Sequence, residues 1–311
     1  MTVLLATNKR DVTTDFVALE LERRGVAFHR LNTEDVAEYT VVMPDGDPSR
    51  MRLVGKTREL KLAEVTGAYY RRPLPPEFPD RSAPIASYLQ AEWSAILRSI
   101  WNALAGRWLN CPFAILRAED KPRQLAIARA EGLRLPHTIV TNDLDNARSF
   151  LEQQQTVTKP LRHALIEDGG LGKVVFTSRV GQSHSLDGLE VAPVILQAVI
   201  PKKADIRVVV VDERVFATAI GSQAHEETSV DWRKGVRPDL EHRAITLPED
   251  VSKACVAVTQ SLNLRYSAID LIEDREGFFW FLEANPNGQW AWIEQRTGAK
   301  IAEAIVTGLV A

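Results

Sequence analysis

The stretch whose reading decides the fold is Ser267-Ala-Ile-Asp-Leu-Ile-Glu-Asp-Arg-Glu-Gly-Phe-Phe-Trp-Phe-Leu-Glu-Ala-Asn-Pro-Asn-Gly288. Two apolar runs flank the turn signal Asp274 to Gly277, which predicts a β-hairpin. A simple hairpin pairs Glu273 with Phe278. Counting back places Asp270 opposite Phe281, with Glu283 diagonal to it on the same face. Asn285 shares the parity of Glu283, because strand side chains alternate with period two. The three polar groups therefore converge. Ile272, Phe279 and Phe281 are expected beside them, and Ile269, Leu271, Trp280 and Leu282 on the other face. Ionised carboxylates in such company cost several kcal/mol unless they are paired or hold a metal. The ordinary alternative is two acids on a solvated hairpin, and the apolar flanks argue against it. An all-oxygen set of Asp270, Glu283 and Asn285 suits Mg²⁺, with Mn²⁺ as a second fit, rather than a soft metal.

Upstream of this hairpin the chain changes character once. The apolar run Thr2 to Thr7 precedes a helical pattern over Val12 to Arg24, in which Phe16, Leu19 and Val17 with Leu21 supply the buried stripe; Gly25 stands at the helix stop. Val26 to Leu31 is extended again, so the front of the chain is a βαβ opening with a parallel sheet. Its first turn, Thr7-Asn-Lys-Arg-Asp11, lacks the glycines of a dinucleotide site. A hairpin is expected around Pro44 to Asp47. A strand from Gly67 ends on Arg71 and Arg72, and helices follow over Ala83 to Leu104, Asp120 to Gly132 and Asp143 to Gln155. From Thr156 onward strands dominate: Thr156 to Pro160, Lys173 to Ser178, Pro193 to Ile200, Asp205 to Val211 and Val215 to Gly221. A glycine-rich turn, Asp168 to Gly172, lies among them, and a helix from Glu249 to Leu262 precedes the last hairpin. The fold class is therefore an α/β N-terminal domain followed by an α+β part with two antiparallel sheets around a cleft. Three divisions are expected: 1–115, 116–190 and 191–311.

The 311 residues carry 38 basic and 41 acidic side chains, a formal net charge of −3. That balance gives no basic field for nonspecific nucleic-acid binding. No run approaches the roughly 18 to 20 apolar residues of a membrane span, and the first residues do not read as a signal peptide, so a cytoplasmic protein is expected. The same reading disfavours an exported two-lobed substrate-binding protein. The 2 cysteines, Cys111 and Cys255, are far apart and read as reduced packing residues.

Asp270 followed by Glu283-Ala-Asn285-Pro resembles the metal-binding signature of the ATP-grasp ligases, specifically the RimK-like group. The resemblance implies that Asp270, Glu283 and Asn285 hold Mg²⁺ on the phosphates of ATP, with the two antiparallel sheets enclosing the nucleotide. It implies that Lys159, in Val-Thr-Lys-Pro, and Lys121, in Asp120-Lys-Pro-Arg, reach those phosphates, and that the turn Asp168 to Gly172 forms a flap over them. Along Ile195-Leu-Gln-Ala-Val-Ile-Pro-Lys-Lys-Ala-Asp-Ile-Arg207, it implies that Gln197, Ala198 and Val199 meet the adenine and Asp205 the ribose. Arg207, and Arg233 in Asp231-Trp-Arg233, become the candidate catalytic residues, since a guanidinium fork suits phosphate charge. Plain salt bridges and a packed Trp loop are the alternative for these last elements.

Over nearly the full length the chain is most similar to the microviridin or graspetide type of ribosomal-peptide macrocyclase. Tyr69-Tyr-Arg-Arg-Pro73, Asp120-Lys-Pro and Glu283-Ala-Asn-Pro-Asn-Gly-Gln-Trp290 carry that likeness. It implies side-chain ω-amide or ω-ester crosslinks in a precursor peptide with a leader and a core bearing acids and Ser, Thr or Lys, and a homodimeric enzyme. Arg71 and Arg72 either position the acidic peptide or cap the sheet edge. A ligase that adds an amino acid to a protein or small-molecule carboxylate, and a silent nucleotide-binding regulator, are the competing readings.

Overall fold

The computed structural model describes residues 2–162, 165–168, 171–174, 176–234 and 239–311, with backbone alone for 165–168 and 171–174. The expected βαβ opening is present. Strand β1 (Thr2–Thr7) lies between β2 (Phe28–Asn32) and the later β6 (Val65–Tyr70), parallel to both. Helix α1 (Val12–Arg23) buries Thr13, Thr14, Val17 and Leu21. Leu19, expected in that stripe, is 62% exposed. The helical period explains this: residues 17 and 21 share a face, and residue 19 lies about 200° round from 17.

A second small sheet joins β3 (Thr40–Val42), β4 (Arg52–Val54) and β5 (Glu59–Lys61) in antiparallel order. The connection of β3 to β4 is wider than a turn on Pro44 to Asp47, because 3₁₀ turns opened by Pro44 and Pro48 follow one another. Leu53, Leu60, Leu62 and Met51 pack with Leu97, Ile100 and Trp101 of α2 (Ala83–Ala103). A further helix, α3 (Pro112–Ala118), was not anticipated. At Gly67 a Cβ would stand 2.1 Å from the Leu309 carbonyl oxygen, so only glycine admits this approach.

His29 on β2 is buried, and its Nε2 lies 3.1 Å from the Tyr39 hydroxyl. Burial, then the charge of Arg58, holds its imidazole down at about 4. The unfolded chain binds this proton near pH 6.5, so between about 6.5 and 4 the unfolded state carries more protons than the folded one. Stability is therefore full above pH 6.5 and falls as the pH drops through this window, by about 3 kcal/mol at most. Chemical denaturation of wild type and His29→Gln from pH 7 to 4 checks this: the variant should lose less, and parallel curves would contradict it.

The second part begins with α4 (Lys121–Ala130), capped by Asp120, which accepts from the Arg123 N–H. Strand β7 (Thr138–Thr141) and helix α5 (Leu144–Gln153) lead to β8 (Thr156–Lys159), then β9 (Leu165–Asp168) paired with β10 (Leu171–Val174), and β11 (Ser178–Val180). With β12 (Val194–Ala198), strands β7, β8 and β11 form a sheet in the order β11-β8-β12-β7. Because β12 pairs with β7 and β8, the expected boundary at 190/191 would cut this sheet. The chain passes to the next sheet only between β12 and β13 (Lys202–Val211).

That sheet runs β15-β14-β13-β16-β17, with β14 (Arg214–Ile220), β15 (His242–Ile245), β16 (Tyr266–Asp274) and β17 (Phe279–Asn285). Helix α6 (Glu249–Ser261) packs on β13 and β14. It buries Cys255, whose thiol is pushed up to about 12 by burial, an inert packing group.

The last helices, α7 (Ala291–Thr297) and α8 (Ile301–Val310), do not extend the expected 191–311 division. Two compact units form: 1–116 with 264–266 and 286–311, and 117–263 with 267–285. In the first unit α8 lies against α1 and β6. Asn110 binds the returning segments there: its Nδ2 donates to the carbonyls of Tyr266 and Pro286 (2.8 and 3.0 Å), and its Oδ1 accepts from the N–H groups of Arg265 and Tyr266. Among the described residues no helix is long and apolar enough to cross a membrane.

Candidate active site

The hairpin of β16 and β17 carries the site, and its register differs from the simple count. Glu273 faces Phe279, Ile272 faces Trp280 and Leu271 faces Phe281; the register then shifts, and Asp270 faces Glu283 directly. Leu282 is the extra residue of a β-bulge. Beyond the bulge Ala268 faces Asn285, so Asp270, Glu283 and Asn285 do share a face. Phe279 and Phe281, expected beside the acids, fall on the opposite face with Glu273 and Leu271. Ile272 lies on the acids' face as expected, and Trp280 joins it there. Trp280 Nε1 donates to Asp274 Oδ2 at 2.7 Å, and Asp274 Oδ1 accepts from the Glu276 and Phe278 N–H groups, which fixes the turn.

Cations surround the two facing carboxylates. Arg207 Nε on β13 lies 2.9 Å from Asp270 Oδ1, a buried ion pair whose N–H is not aimed along a hydrogen bond. Burial pushes the Asp270 carboxyl up to about 6; Arg207 opposes this and the charge of Glu283 reinforces it. Burial also acts upward on Glu283, but Lys121, Arg233, Lys159 and Arg207 together hold it below the usual range. Lys121 Nζ stands 3.5 Å from Glu283 Oε2 and donates to the Pro160 carbonyl at 2.9 Å. Arg233 Nη1 stands 3.5 Å from Glu283 Oε1, and its Nε and Nη2 grip Asp231 as a fork at 2.8 and 2.9 Å.

Lys159 closes the ring. Its Nζ donates to Gln197 Oε1 at 2.8 Å, and burial holds the amine down at about 8 against the pull of Glu283. Gln197 Nε2 in turn donates to Thr138 Oγ1, so its side chain is spoken for at both ends. The N–H groups of Ala198 and Val199 donate to the carbonyls of His137 and Gln155. Contact of these residues with a base would therefore use other atoms than those donors. Asp205 accepts from Lys202 Nζ at 2.7 Å in a buried pair, not the surface bridge weighed from sequence. Lys202 also donates to the Val230 carbonyl.

Lys202, as the partner of Asp205, and Asp231, as the clamp of Arg233, were not singled out from sequence; the Trp232 ring lies 5.6 Å from the Arg207 guanidinium carbon. Each sits within a few residues of a flagged position, and only the fold reveals its partner. The turn at Asp168 to Gly172 includes residues 169 and 170, which lie outside the described residues.

Arg71 and Arg72 belong to the first unit and part company there. Arg71 is 1% exposed, with Nη1 donating to the Asn287 carbonyl and Nε 3.5 Å from Asp11 Oδ2. Arg72 is exposed, in the left-handed region at φ 44°, and its Nε donates to the same carbonyl at 3.2 Å.

Among the described residues no three His, Cys, Asp or Glu side chains cluster as metal ligands. Two opposed carboxylates with an amide oxygen on the same face form a smaller, all-oxygen donor set, which fits a hard cation that keeps water ligands and completes its shell with phosphate oxygens.

Replacing Lys159 by Ala removes a cation from this ring. ATP affinity should fall about tenfold at pH 7, the scale of one hydrogen bond from a charged group. Because the amine titrates near 8, the gap between wild type and variant should narrow toward pH 9. Calorimetric titration with ATP at both pH values measures it; unchanged affinity at pH 7 would move the phosphate site elsewhere.

Paired antiparallel sheets thus frame a cation-ringed pair of strand carboxylates. A family model for the RimK-like ATP-grasp domain matches residues 118–309, and the chain belongs to that family. It is 28% identical over 207 residues to a protein of Pasteurella multocida named a probable alpha-L-glutamate ligase, spanning 65% of this chain and 63% of that one, less than two thirds of the relative's length. In shape it is similar to a RiPP-associated ATP-grasp ligase of Chryseobacterium gregarium solved with ADP and a leader and core peptide. The TM-score is 0.88 at 26% identity, over 99% of this chain and 96% of that one. It is likewise similar to macrocyclase MdnC of Microcystis aeruginosa bound with precursor peptide MdnA, with a TM-score of 0.86 at 28% identity, over 100% of this chain and 99% of that one.

Proposed function

We propose that this protein is an ADP-forming ligase that crosslinks side chains of a ribosomal precursor peptide through an acyl phosphate. The observation that carries this reading is the likeness in shape, over 99% of the chain, to a ligase holding ADP with a leader and core peptide. The ring of Lys121, Lys159, Arg207 and Arg233 around Asp270 and Glu283 supports the nucleotide half of it.

ATP occupies the space between the sheet of β8 and β12 and the sheet of β13, β16 and β17. Asp270, Glu283 and Asn285 would hold Mg²⁺, which when bound neutralises the charge of the terminal phosphates. Lys159 and Lys121 bind phosphate oxygens, and Gln197, Ala198, Val199 and Asp205 take the base and ribose. A peptide carboxylate oxygen attacks the γ-phosphorus, the bond to the β-phosphate oxygen breaks, and ADP leaves. A Lys amine or a Ser or Thr hydroxyl then attacks the acyl carbon; its proton departs and inorganic phosphate is released. Arg207 and Arg233 supply fixed positive charge where negative charge develops on the transferring group and the acyl oxygen. Asp231 keeps Arg233 in place for this.

In the first unit, exposed Arg72 would meet an acidic peptide, and Arg71 lies buried against Asn287 and Asp11. A cytoplasmic homodimer completes the proposal. The test is to incubate the protein, ATP and Mg²⁺ with a short neighbouring reading frame rich in acids and Thr, Ser or Lys. Each ring should remove one water from the peptide mass. Addition of an amino acid mass instead would favour the second reading, a glutamate-adding ligase, for which the names of the curated relatives speak.

A further inference from the structure

Among the described residues β17 is the edge of its sheet, bridged at Trp280 by Arg134, and the outward N–H and C=O groups of Ala284 meet no strand there. One side chain takes both. Gln124 on α4 is buried; its Oε1 accepts from the Ala284 N–H at 2.9 Å and its Nε2 donates to the Ala284 carbonyl at 2.7 Å. The same Nε2 donates to the Ala118 carbonyl at 2.7 Å, which ties the loop before α4 into the contact. A carboxamide is a peptide group in miniature, with a donor and an acceptor in one plane. Here it stands in for the missing neighbouring strand at a single residue.

That residue lies between Glu283 and Asn285. Clamping the Ala284 backbone sets where both flanking side chains leave the strand, just after the bulge at Leu282, where a strand is otherwise easiest to slip. Gln124 stands three residues from Lys121 on α4, so the two share a helix face. Lys121 reaches the Glu283 carboxylate while Gln124 holds the backbone behind it.

We infer that Gln124 is the positioning residue of the metal site: it fixes Glu283 and Asn285 relative to each other and to Lys121. This rests on the assignment of Asp270, Glu283 and Asn285 as metal ligands. Residues that orient ligands without touching the metal typically govern metal affinity by about 10- to 100-fold.

Two variants test it. Gln124→Met keeps the length and removes both hydrogen bonds; Gln124→Glu keeps the shape but sets a carboxylate oxygen against the carbonyls of Ala284 and Ala118. ADP binding to the full chain is measured by calorimetry without metal and over a series of MgCl₂ and MnCl₂ concentrations. In both variants the metal concentration giving half of the metal-dependent gain in ADP affinity should rise about tenfold or more, with metal-free ADP affinity within about twofold of wild type. Should one variant not fold, the other decides. An unchanged metal requirement would overturn the inference. So would an equal loss of ADP affinity with and without metal, since that marks a merely structural residue. If wild type itself gains no ADP affinity from metal, it is the ligand assignment that fails, and Gln124 loses its role with it.

Discussion

Glu283→Gln should lower ligation by roughly 10³-fold or more while the protein stays folded, because it removes one of the two carboxylate charges proposed to hold Mg²⁺ at almost no cost in volume. Glu283 faces Asp270 across the hairpin and lies 3.5 Å from both Lys121 and Arg233. The glutamine still offers these cations an oxygen, so the local hydrogen bonding survives better than with alanine. Without the second carboxylate's charge Asp270 ionises more readily, since that charge now helps to push its carboxyl up. Folding stability should therefore hold, and lost turnover cannot be ascribed to unfolding. Product formation by mass and unfolding by circular dichroism, on the same preparation, separate the two. Ligation at the wild-type rate would remove Glu283 from the metal site.

Arg207→Ala should be costly in a different way. Arg207 forms an ion pair with Asp270, and both are buried. Removing one partner of a buried pair leaves a charge that low-dielectric surroundings tolerate poorly, a loss of about 3 kcal/mol or more. Asp270 escapes part of that by binding a proton, and its carboxyl already sits at about 6 with Arg207 in place. The sign follows: without the guanidinium the folded state binds this proton at higher pH than before. The variant is then worst off at alkaline pH and recovers toward wild type as the pH falls toward about 6, below which this carboxyl is protonated in both proteins. Urea denaturation at pH 8 and pH 5.5 measures this, and an equal deficit at both would contradict it. Arg207→Lys should restore only part, because Arg207 also spreads its charge toward the Trp232 ring.

Both predictions rest on a pairing that sequence gave only in part. Parity alone put Asp270, Glu283 and Asn285 on one face, and the register agrees. The simple count placed Phe281 opposite Asp270, however, because nothing in Phe-Trp-Phe-Leu-Glu announces that Leu282 is a bulge; the shift is settled by packing across the sheet. Lys121, Lys159 and Arg207 could be flagged through the resemblance to ATP-grasp ligases, but the atoms they meet could not. Lys159 turns out to bind Gln197, and Asp205 to bind Lys202. The helix stripe of α1 was misread at Leu19 because apolar residues two apart cannot share a helical face. The return of residues 286–311 to the first unit was illegible for a different reason. It depends on Gly67 admitting the backbone at Leu309 and on Asn110 bonding four distant backbone groups, contacts that no local pattern encodes.

The central claim is that a carboxylate is activated as an acyl phosphate by this site. Labelling the side-chain carboxylates of the precursor peptide with ¹⁸O tests it most directly. The account predicts that each ring formed transfers one ¹⁸O atom into the released inorganic phosphate, with ADP unlabelled. Label recovered in AMP, or ring closure that leaves the phosphate unlabelled, would contradict it.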